Sequence, residues 1–162
     1  MAGREESGLI EVPAAANGRG MREAGLLPNL GPGLADSPES GMGSAEIARA
    51  LADGELTTLV LMHADPLATH PGRAVWEAAL DRAAGVIAFA DFLTPALEEN
   101  ATVVFPAEAN AEKEGTVTHP DGRLQRVRQA IGHPGETRPV WWVLSELADR
   151  CGAGLDLSLI HI

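Results

Sequence analysis

Three short apolar segments, separated by stretches long enough to hold a helix, constrain the fold of this chain more than any other feature. They lie at residues 56–62, 86–90 and 102–105. Each is an uncharged, mostly apolar run, which is the pattern of a strand that is buried on both faces. Strands that alternate with helix-length connections form a parallel sheet with covering helices. The sequence therefore predicts an α/β fold, and we expect the connection over residues 63–85 to cross over with right-handed topology.

Helix signals fill the connections between these segments. Ser44 is a candidate N-cap for a first helix, which Gly54 can end. A second helix is predicted from about residue 72 to residue 84, with Gly85 as its stop signal. One side of this helix carries an apolar stripe, which consists of Val75, Trp76, Ala79, Leu80 and Ala83. A short helix is predicted near residues 95–99.

The last predicted helix begins at Pro139 and stops at Gly152. Its apolar side consists of Val140, Val143, Leu144, Leu147 and Cys151. We therefore expect Cys151 to be buried as a small apolar side chain. Trp142 falls on the opposite side, where a lone tryptophan marks either a contact surface or a side chain that folds over loops of its own domain.

Four regions are predicted along the chain. Residues 1–43 form an irregular lead, rich in Gly and Pro, that is part of a truncated domain and hints at one strand over 8–13. Residues 44–110 form an α/β region that is dinucleotide-binding-like. Residues 111–152 hold a polar loop, a β-hairpin built from 116–118 and 124–127, and the closing helix. Residues 153–162 form a tail that we expect to be non-native, because its ending LSLIHI resembles translated adapter sequence.

Composition argues against several classes of function. The net charge of −11 disfavours binding to nucleic acid or to anionic lipid. The single cysteine, Cys151, cannot form a disulfide within the chain or supply the several thiolates of an iron–sulfur cluster. No segment has the apolar length of a membrane-spanning helix, and the N-terminus lacks the apolar core of a signal peptide. We therefore expect a cytoplasmic protein that does not insert into a membrane.

The polar string AEKEGTVTHPDGRLQRVR at residues 111–128 is the strongest functional signal. It follows the third predicted strand, and polar loops at the ends of buried strands are a usual place for ligand or partner contacts. Asp65 lies in the stretch His63-Ala64-Asp65-Pro66 that closes the first predicted strand, where it either accepts hydrogen bonds from a ribose or a base or forms a strand-ending turn. The glycine pairs at 18–20 and 31–33 lack the strand–helix context of a phosphate-binding site and are interpreted as loops. The scattered histidines and the lone cysteine predict neither a metal site nor a catalytic residue.

Taken together, these residues resemble the molybdopterin oxidoreductase superfamily and, within it, the G subunits of bacterial NADH-quinone oxidoreductase (respiratory complex I). The similarity rests on Ala107-Glu108, AEKEGT at 111–116, DGRLQRVR at 121–128, Ile131, Pro-Gly-Glu at 134–136, Arg138-Pro139 and Trp141-Trp142. Upstream, Asn17-Gly18-Arg19-Gly20 and residues 63–67 match in the same order. The resemblance covers roughly residues 14–152.

The resemblance also implies cofactor-binding positions. In active members, the loop equivalent to 63–67 lies near the guanosine end of the molybdopterin cofactor, and the segment equivalent to 112–125 lies near its pterin. The candidate positions in this chain are therefore Asp65, Glu112, Lys113, Gly115, Thr116, His119, Arg123 and Gln125. Two departures from the family pattern, Ala64-Asp65 in place of Glu-Asn and His119 in place of Asn, favour the remnant of a cofactor site.

The first hypothesis is therefore a C-terminal part of the molybdopterin-like domain of this complex I protein, with no redox centre or cofactor in this segment. It implies partners in the rest of its own polypeptide and in other complex I subunits, iron–sulfur clusters in a missing N-terminal part, and a peripheral location on the cytoplasmic side of the inner membrane. This segment alone would not be catalytic within the complex, which passes electrons from NADH to quinone. The alternative is part of a molybdopterin guanine dinucleotide-dependent oxidoreductase of formate dehydrogenase type, which would bind that cofactor. A third hypothesis is a free-standing α/β binding domain.

Overall fold

The computed structural model describes residue 12 and residues 15–154. Its elements in chain order are α1 (Gly18–Glu23), a short 3-10 helix (Pro32–Leu34), α2 (Ser44–Asp53), β1 (Thr58–Met62), α3 (Pro66–Thr69), α4 (Arg73–Arg82), β2 (Gly85–Ala90), α5 (Pro95–Asn100), β3 (Val103–Pro106), β4 (Gly115–Thr118), β5 (Leu124–Val127) and α6 (Val140–Arg150). They fall into two compact units: residues up to 41 with 114–128, and residues 42–113 with those from 129 onward. Most of the strand hinted at over 8–13 and the residues from 155 to the end lie outside the described part.

The larger unit contains the predicted parallel sheet. Its strand order is β1-β2-β3, and both pairs of neighbours are parallel. Thr58 lies opposite Gly85, and Ile87 lies opposite Val103. This confirms the α/β fold and the position of all three strands, to within two residues at each end.

One face of the sheet packs against helices and forms the main core. Leu59 and Leu61 of β1 alternate with outward-pointing residues and are buried among side chains from α2 and α4. The members of this core are Ala48, Leu51, Leu59, Leu61, Trp76, Ala79, Leu80, Val86, Ala88 and Leu97. The predicted helical stripe over 75–83 therefore holds, except that Val75 is exposed.

The second face of the sheet is only partly covered, which corrects the prediction that the outer strands are buried on both faces. Phe89 and Phe105 stack with ring centroids 5.2 Å apart and pack with residues of α6. Val60 and Met62 are each 51% exposed, and most of β3 is exposed. Among the described residues, α6 lies against β2 and β3 and leaves this face of β1 open.

Helix ends differ in detail from the prediction. Gly43, not Ser44, is the N-cap of α2, because its N–H donates to the Glu46 carboxylate at 2.7 Å. Gly54 ends α2 in the left-handed conformation with φ 81°, as predicted. Helix α4 ends at Arg82, and Gly85 is not its stop but the first residue of β2.

Helix α6 begins at the predicted place, with Pro139 as its N-cap. Val140 is buried, and Val143, Leu144 and Leu147 pack beside it. Cys151 is exposed, so its predicted burial is wrong. The helix ends at Arg150, which places Cys151 in the C-cap rather than on the apolar side of a further turn.

The smaller unit is built on the predicted hairpin. Strands β4 and β5 pair antiparallel, with Gly115 opposite Val127 and Thr118 opposite Leu124. Helix α1 contains Gly18 and Gly20, which corrects the interpretation of this glycine pair as a loop. Asn17 precedes it with φ 66°, and its side-chain oxygen accepts a hydrogen bond from the Thr118 N–H at 2.8 Å. An asparagine tolerates this left-handed conformation and uses its amide to tie α1 to the hairpin.

Candidate functional site

Polar side chains follow each strand of the parallel sheet in the larger unit. His63 comes directly after β1, Asp91 directly after β2, and Glu108 two residues after β3. The His63 N–H donates to the Phe89 carbonyl at 2.8 Å, so β1 and β2 end side by side. The carboxyl ends of parallel strands form the usual ligand crevice of an open α/β sheet. The fold therefore collects these three side chains at the edge where a ligand would bind.

His63 is the centre of this group. Its Nε2 lies 3.1 Å from the Lys113 ammonium, and its Nδ1 lies 3.8 Å from an Asp91 carboxylate oxygen. A lysine ammonium can only donate, so Nε2 must accept and the ring proton must sit on Nδ1, facing Asp91. Burial lowers the pKa of His63 and the Lys113 charge lowers it further, while Asp91 and Glu108 oppose the shift. His63 is therefore a neutral imidazole at pH 7 that connects a cation to a carboxylate.

The backbone at His63 is unusual. Its φ is 50°, a left-handed conformation that glycine adopts freely and other residues rarely adopt. The chain turns here from β1 into α3. The side chain is 26% exposed and contacts Lys113 and Asp91.

Two buried glutamates shape the loop that carries Lys113. The Glu108 carboxylate accepts a hydrogen bond from the Val140 N–H at 3.0 Å and thereby holds the first turn of α6. The Glu112 carboxylate accepts from the Ala109 N–H at 3.0 Å, and the Glu112 carbonyl lies 3.0 Å from His133 Nε2. Glu112 was predicted as a cofactor contact, but its side chain closes a turn in its own loop. That turn is what aims the next residue, Lys113, at His63.

Asp65 also satisfies backbone groups. Its Oδ1 accepts hydrogen bonds from the Leu67 N–H at 2.9 Å and the Ala68 N–H at 3.2 Å, so it is the N-cap of α3. Of the two interpretations given to Asp65, this geometry supports the turn. The second carboxylate oxygen can still accept a hydrogen bond, but an aspartate at this position has no donor to offer.

The remaining predicted positions lie in the smaller unit. Gly115 and Thr116 are in β4, and Gln125 is in β5. His119 and Arg123 meet on Asp121 at the hairpin turn: His119 Nδ1 lies 2.8 Å from one carboxylate oxygen, and Arg123 Nε lies 2.8 Å from the other. The Arg123 N–H also donates to Asp121 at 3.1 Å. These bonds lower the pKa of Asp121 to about 2, with the backbone bond as the largest cause.

The structure thus joins the predicted residues in two groups. Lys113 meets His63 in the larger unit, and His119 meets Arg123 through Asp121 in the smaller unit. Asp91 and Glu108 were not predicted as site residues. Their signal in the sequence is position alone, since each is an acid that follows a buried strand at the carboxyl edge. The cofactor-binding role of the eight predicted positions stays a prediction.

Two further findings concern the described residues only. No group of three or more histidine, cysteine, aspartate or glutamate side chains lies close enough to hold a metal ion. No helix in residues 15–154 is both long and apolar enough to cross a membrane.

Comparison with known proteins identifies the family. The family model described as "Molybdopterin oxidoreductase" matches residues 12–150. The chain belongs to the molybdopterin oxidoreductase family. Among curated members, it is 30% identical to the F420-dependent formate dehydrogenase 2 subunit alpha of Methanococcus maripaludis, over 96% of this chain and 25% of that protein. It is 26% identical to the assimilatory nitrate reductase catalytic subunit of Bacillus subtilis, over 94% of this chain and 24% of that protein.

A solved structure supports the fold of this family member. Acetylene hydratase from Pelobacter acetylenicus matches with a TM-score of 0.63 and 16% identity, over 82% of this chain and 20% of that one. The chain spans about a quarter of the length of the two curated relatives. The predicted superfamily is confirmed. These two relatives are oxidoreductases of the formate dehydrogenase and nitrate reductase kind, and the finer assignment to complex I is not shown by them.

Proposed function

We propose that this chain is part of a molybdopterin guanine dinucleotide-dependent oxidoreductase of formate dehydrogenase type and holds the guanosine end of the cofactor. The observation that carries the proposal is the group formed by His63, Asp91 and Lys113 at the carboxyl edge of the parallel sheet. The similarity to formate dehydrogenase subunits over nearly the whole chain supports the same assignment.

The residues at this edge fit a guanine base. Guanine presents N–H donors on one side and the acceptors O6 and N7 on another. The Asp91 carboxylate, 35% exposed, can accept two such N–H groups, and the Lys113 ammonium can donate to an acceptor. Phe92, next to Asp91, is 75% exposed and offers an aromatic surface for stacking a base. Adenine lacks the paired N–H donors, so the same side chains would bind it less well.

When bound, the cofactor supplies the redox chemistry at its metal. The residues described here would bind and orient its nucleotide end, away from bond making and breaking. The resemblance placed Lys113 on the pterin side, and we assign it to the nucleotide end instead because it contacts His63, which lies beside Asp91. His119 and Arg123, the candidates in the hairpin, stay predictions of pterin-side contacts. On this proposal the whole protein is an oxidoreductase, and formate is the substrate class that the similarity favours.

The competing hypothesis is the scaffold role in complex I, with other subunits of that complex as partners. One observation favours it: Asp65 caps α3 and keeps only acceptor capacity, whereas an asparagine there would cap the helix and retain a donor for the cofactor. Under this hypothesis the chain binds no guanine nucleotide. Its peripheral location on the cytoplasmic side of the inner membrane, and iron–sulfur clusters outside this segment, are further predictions of the same hypothesis.

Nucleotide binding separates the two hypotheses. We expect calorimetric titration of the 162-residue chain to show GDP binding at least about tenfold tighter than ADP, because only guanine matches Asp91. Asp91→Asn should weaken GDP binding by about tenfold or more, since hydrogen bonds to a charged acceptor contribute about 1.5–3 kcal/mol. Asp81→Asn, at an exposed acid on α4, is the matched control and should leave GDP binding unchanged. Equal affinity for GDP and ADP, or no binding of either, would contradict the proposal.

A second measurement tests the cofactor itself. The chain is produced in a host that makes molybdopterin guanine dinucleotide, and the purified protein is analysed for molybdenum and for GMP released by acid hydrolysis. Both should be found in the purified protein on our proposal. The scaffold hypothesis expects neither.

A further inference from the structure

We propose that His63 is a positioning residue that holds the Lys113 ammonium at the nucleotide end of the site, and that acidification releases this lysine and weakens guanine-nucleotide binding. The inference rests on the proposed function for its ligand, a guanine nucleotide. It adds a role for His63 and a regulation by pH that the nucleotide-binding proposal alone does not contain.

The backbone supplies the first argument. At φ 50°, a residue with a side chain is under backbone strain that glycine would avoid. The turn itself does not need an imidazole, because the His63 N–H bonds the Phe89 carbonyl whatever its side chain is, and Asp65 caps α3 unaided. The contacts that depend on the imidazole are those with Lys113 and Asp91. The strained position therefore serves those two contacts.

The orientation of the ring supplies the second argument. The neutral ring offers a lone pair on Nε2 to Lys113 at 3.1 Å, and its Nδ1–H faces the Asp91 carboxylate at 3.8 Å, beyond hydrogen-bond distance. Protonation places a hydrogen on Nε2, where it faces the ammonium donors at 3.1 Å. Two cations cannot share that contact, so Lys113 must leave. The imidazolium is at the same time drawn to Asp91, which removes a guanine acceptor from use.

The charged groups that face His63 are Lys113, Asp91 and Glu108. Glu108 is committed to the Val140 N–H and stays in place in either state. The lowered pKa of His63 agrees with this arrangement, since burial and Lys113 both disfavour the imidazolium. The direction of the pH effect follows from these contacts. At neutral pH the His63 ring is neutral and holds Lys113. As the pH falls through the lowered pKa of His63, which lies below 6.5, the ring gains a proton and the lysine is released.

The pH dependence of GDP binding tests the inference. From about pH 7.5 to about pH 5.5 we expect the affinity of the full chain for GDP to fall, by less than the roughly tenfold that a histidine with an unshifted pKa would give. His63→Gln offers an amide oxygen to Lys113 but does not titrate, so the ratio of affinities at the two pH values should approach one. His70→Gln, at a histidine that contacts Trp76 instead, is the matched control and should keep the ratio of the unaltered chain. If the affinity of His63→Gln for GDP still depends on pH as it does in the unaltered chain, the inference is overturned.

An independent measurement tests the contact between His63 and Lys113 in the absence of nucleotide. Nitrogen NMR of the ring should show the Nδ1–H tautomer of His63 and a titration midpoint below 6.5. Lys113→Met should raise that midpoint, because it removes the positive neighbour. If GDP does not bind at any pH, the proposed function fails while this titration still decides whether His63 and Lys113 are coupled. An Nε2–H tautomer, or a midpoint that Lys113→Met leaves unchanged, would refute the positioning role.

Discussion

Asp121 shows how one side chain organises the hairpin turn at the scale of a single residue. It accepts hydrogen bonds from the Arg123 backbone and side chain and lies against His119, on an exposed surface. These bonds favour the ionised carboxylate, which lowers its pKa from 3.8 to about 2. Because the folded-state pKa is depressed, the stabilisation is present above the ordinary value and is lost as the pH falls through the folded one.

We expect the Asp121 carboxyl carbon to titrate by NMR with a midpoint at about 2. His119→Ala should raise the midpoint only part of the way, since the larger contribution of the Arg123 N–H remains. A midpoint close to 3.8 in the unaltered chain would mean that these bonds do not persist in solution.

Asp65 makes a second prediction at this scale. Asp65→Ala removes the cap of α3 and should lower the free energy of unfolding by about 1 kcal/mol. Asp65→Asn keeps the capping oxygen and should lie within a few tenths of a kcal/mol of the unaltered chain. Urea unfolding followed by circular dichroism measures both. Equal destabilisation in the two variants would show that charge, not capping, is what Asp65 contributes.

At the scale of the element, α6 depends on an acid that is distant in sequence. Glu108 is 7% exposed and accepts from the Val140 N–H, a group at the start of the helix that has no partner within it. Glu108→Ala leaves this buried N–H unsatisfied and should cost about 1–3 kcal/mol. Glu108→Gln retains an acceptor and should cost less.

Amide hydrogen exchange of α6 measures this effect directly. Protection of Val143 and Leu144 should fall in Glu108→Ala and stay closer to the original in Glu108→Gln. Unchanged protection in both variants would contradict a capping role for Glu108.

The positions of the helices and strands could be predicted from the sequence. The solvent exposure of the outer strand and of the end of α6 could not. The three strands and α6 follow from local patterns of apolar residues, and the hairpin follows from its Pro-Asp-Gly turn. The open face of β1 and the exposed Cys151 depend on where α6 lies and where it ends, which no local pattern reports. Lys113 was predicted as a site residue because it lies in a polar string that resembles the cofactor-side segment of the family. Asp91 was missed because a single acid after a strand also fits an ordinary turn.

At the scale of the whole molecule, charge is the feature with a measurable consequence. The chain carries −11 at pH 7, with 23 acidic and 12 basic residues. Such an excess destabilises a compact state through self-repulsion, and salt screens it over about 10 Å at 0.1 M. We therefore expect sodium chloride to raise the melting temperature, by about 2–4 °C for each kcal/mol of repulsion relieved.

Calorimetric melting at about 0.01 M and about 0.3 M salt checks this prediction. Sucrose at matched osmolality controls for effects of solute exclusion, which do not depend on charge. A melting temperature that falls with salt would indicate that attractive ion pairs outweigh the repulsion.

The outer edge of β1, which faces away from β2, has a consequence for the behaviour of the chain at high concentration. In the described part of the chain, no strand pairs with the outer edge of β1, and its five residues, TLVLM, include neither a charge nor a proline. Charged residues and proline are the usual means by which edge strands avoid pairing with other chains. β3 has Pro106 at its end, but β1 has no such protection. The purified chain should therefore self-associate by strand addition at β1, and a lysine in place of Val60 is the substitution that would keep it monomeric.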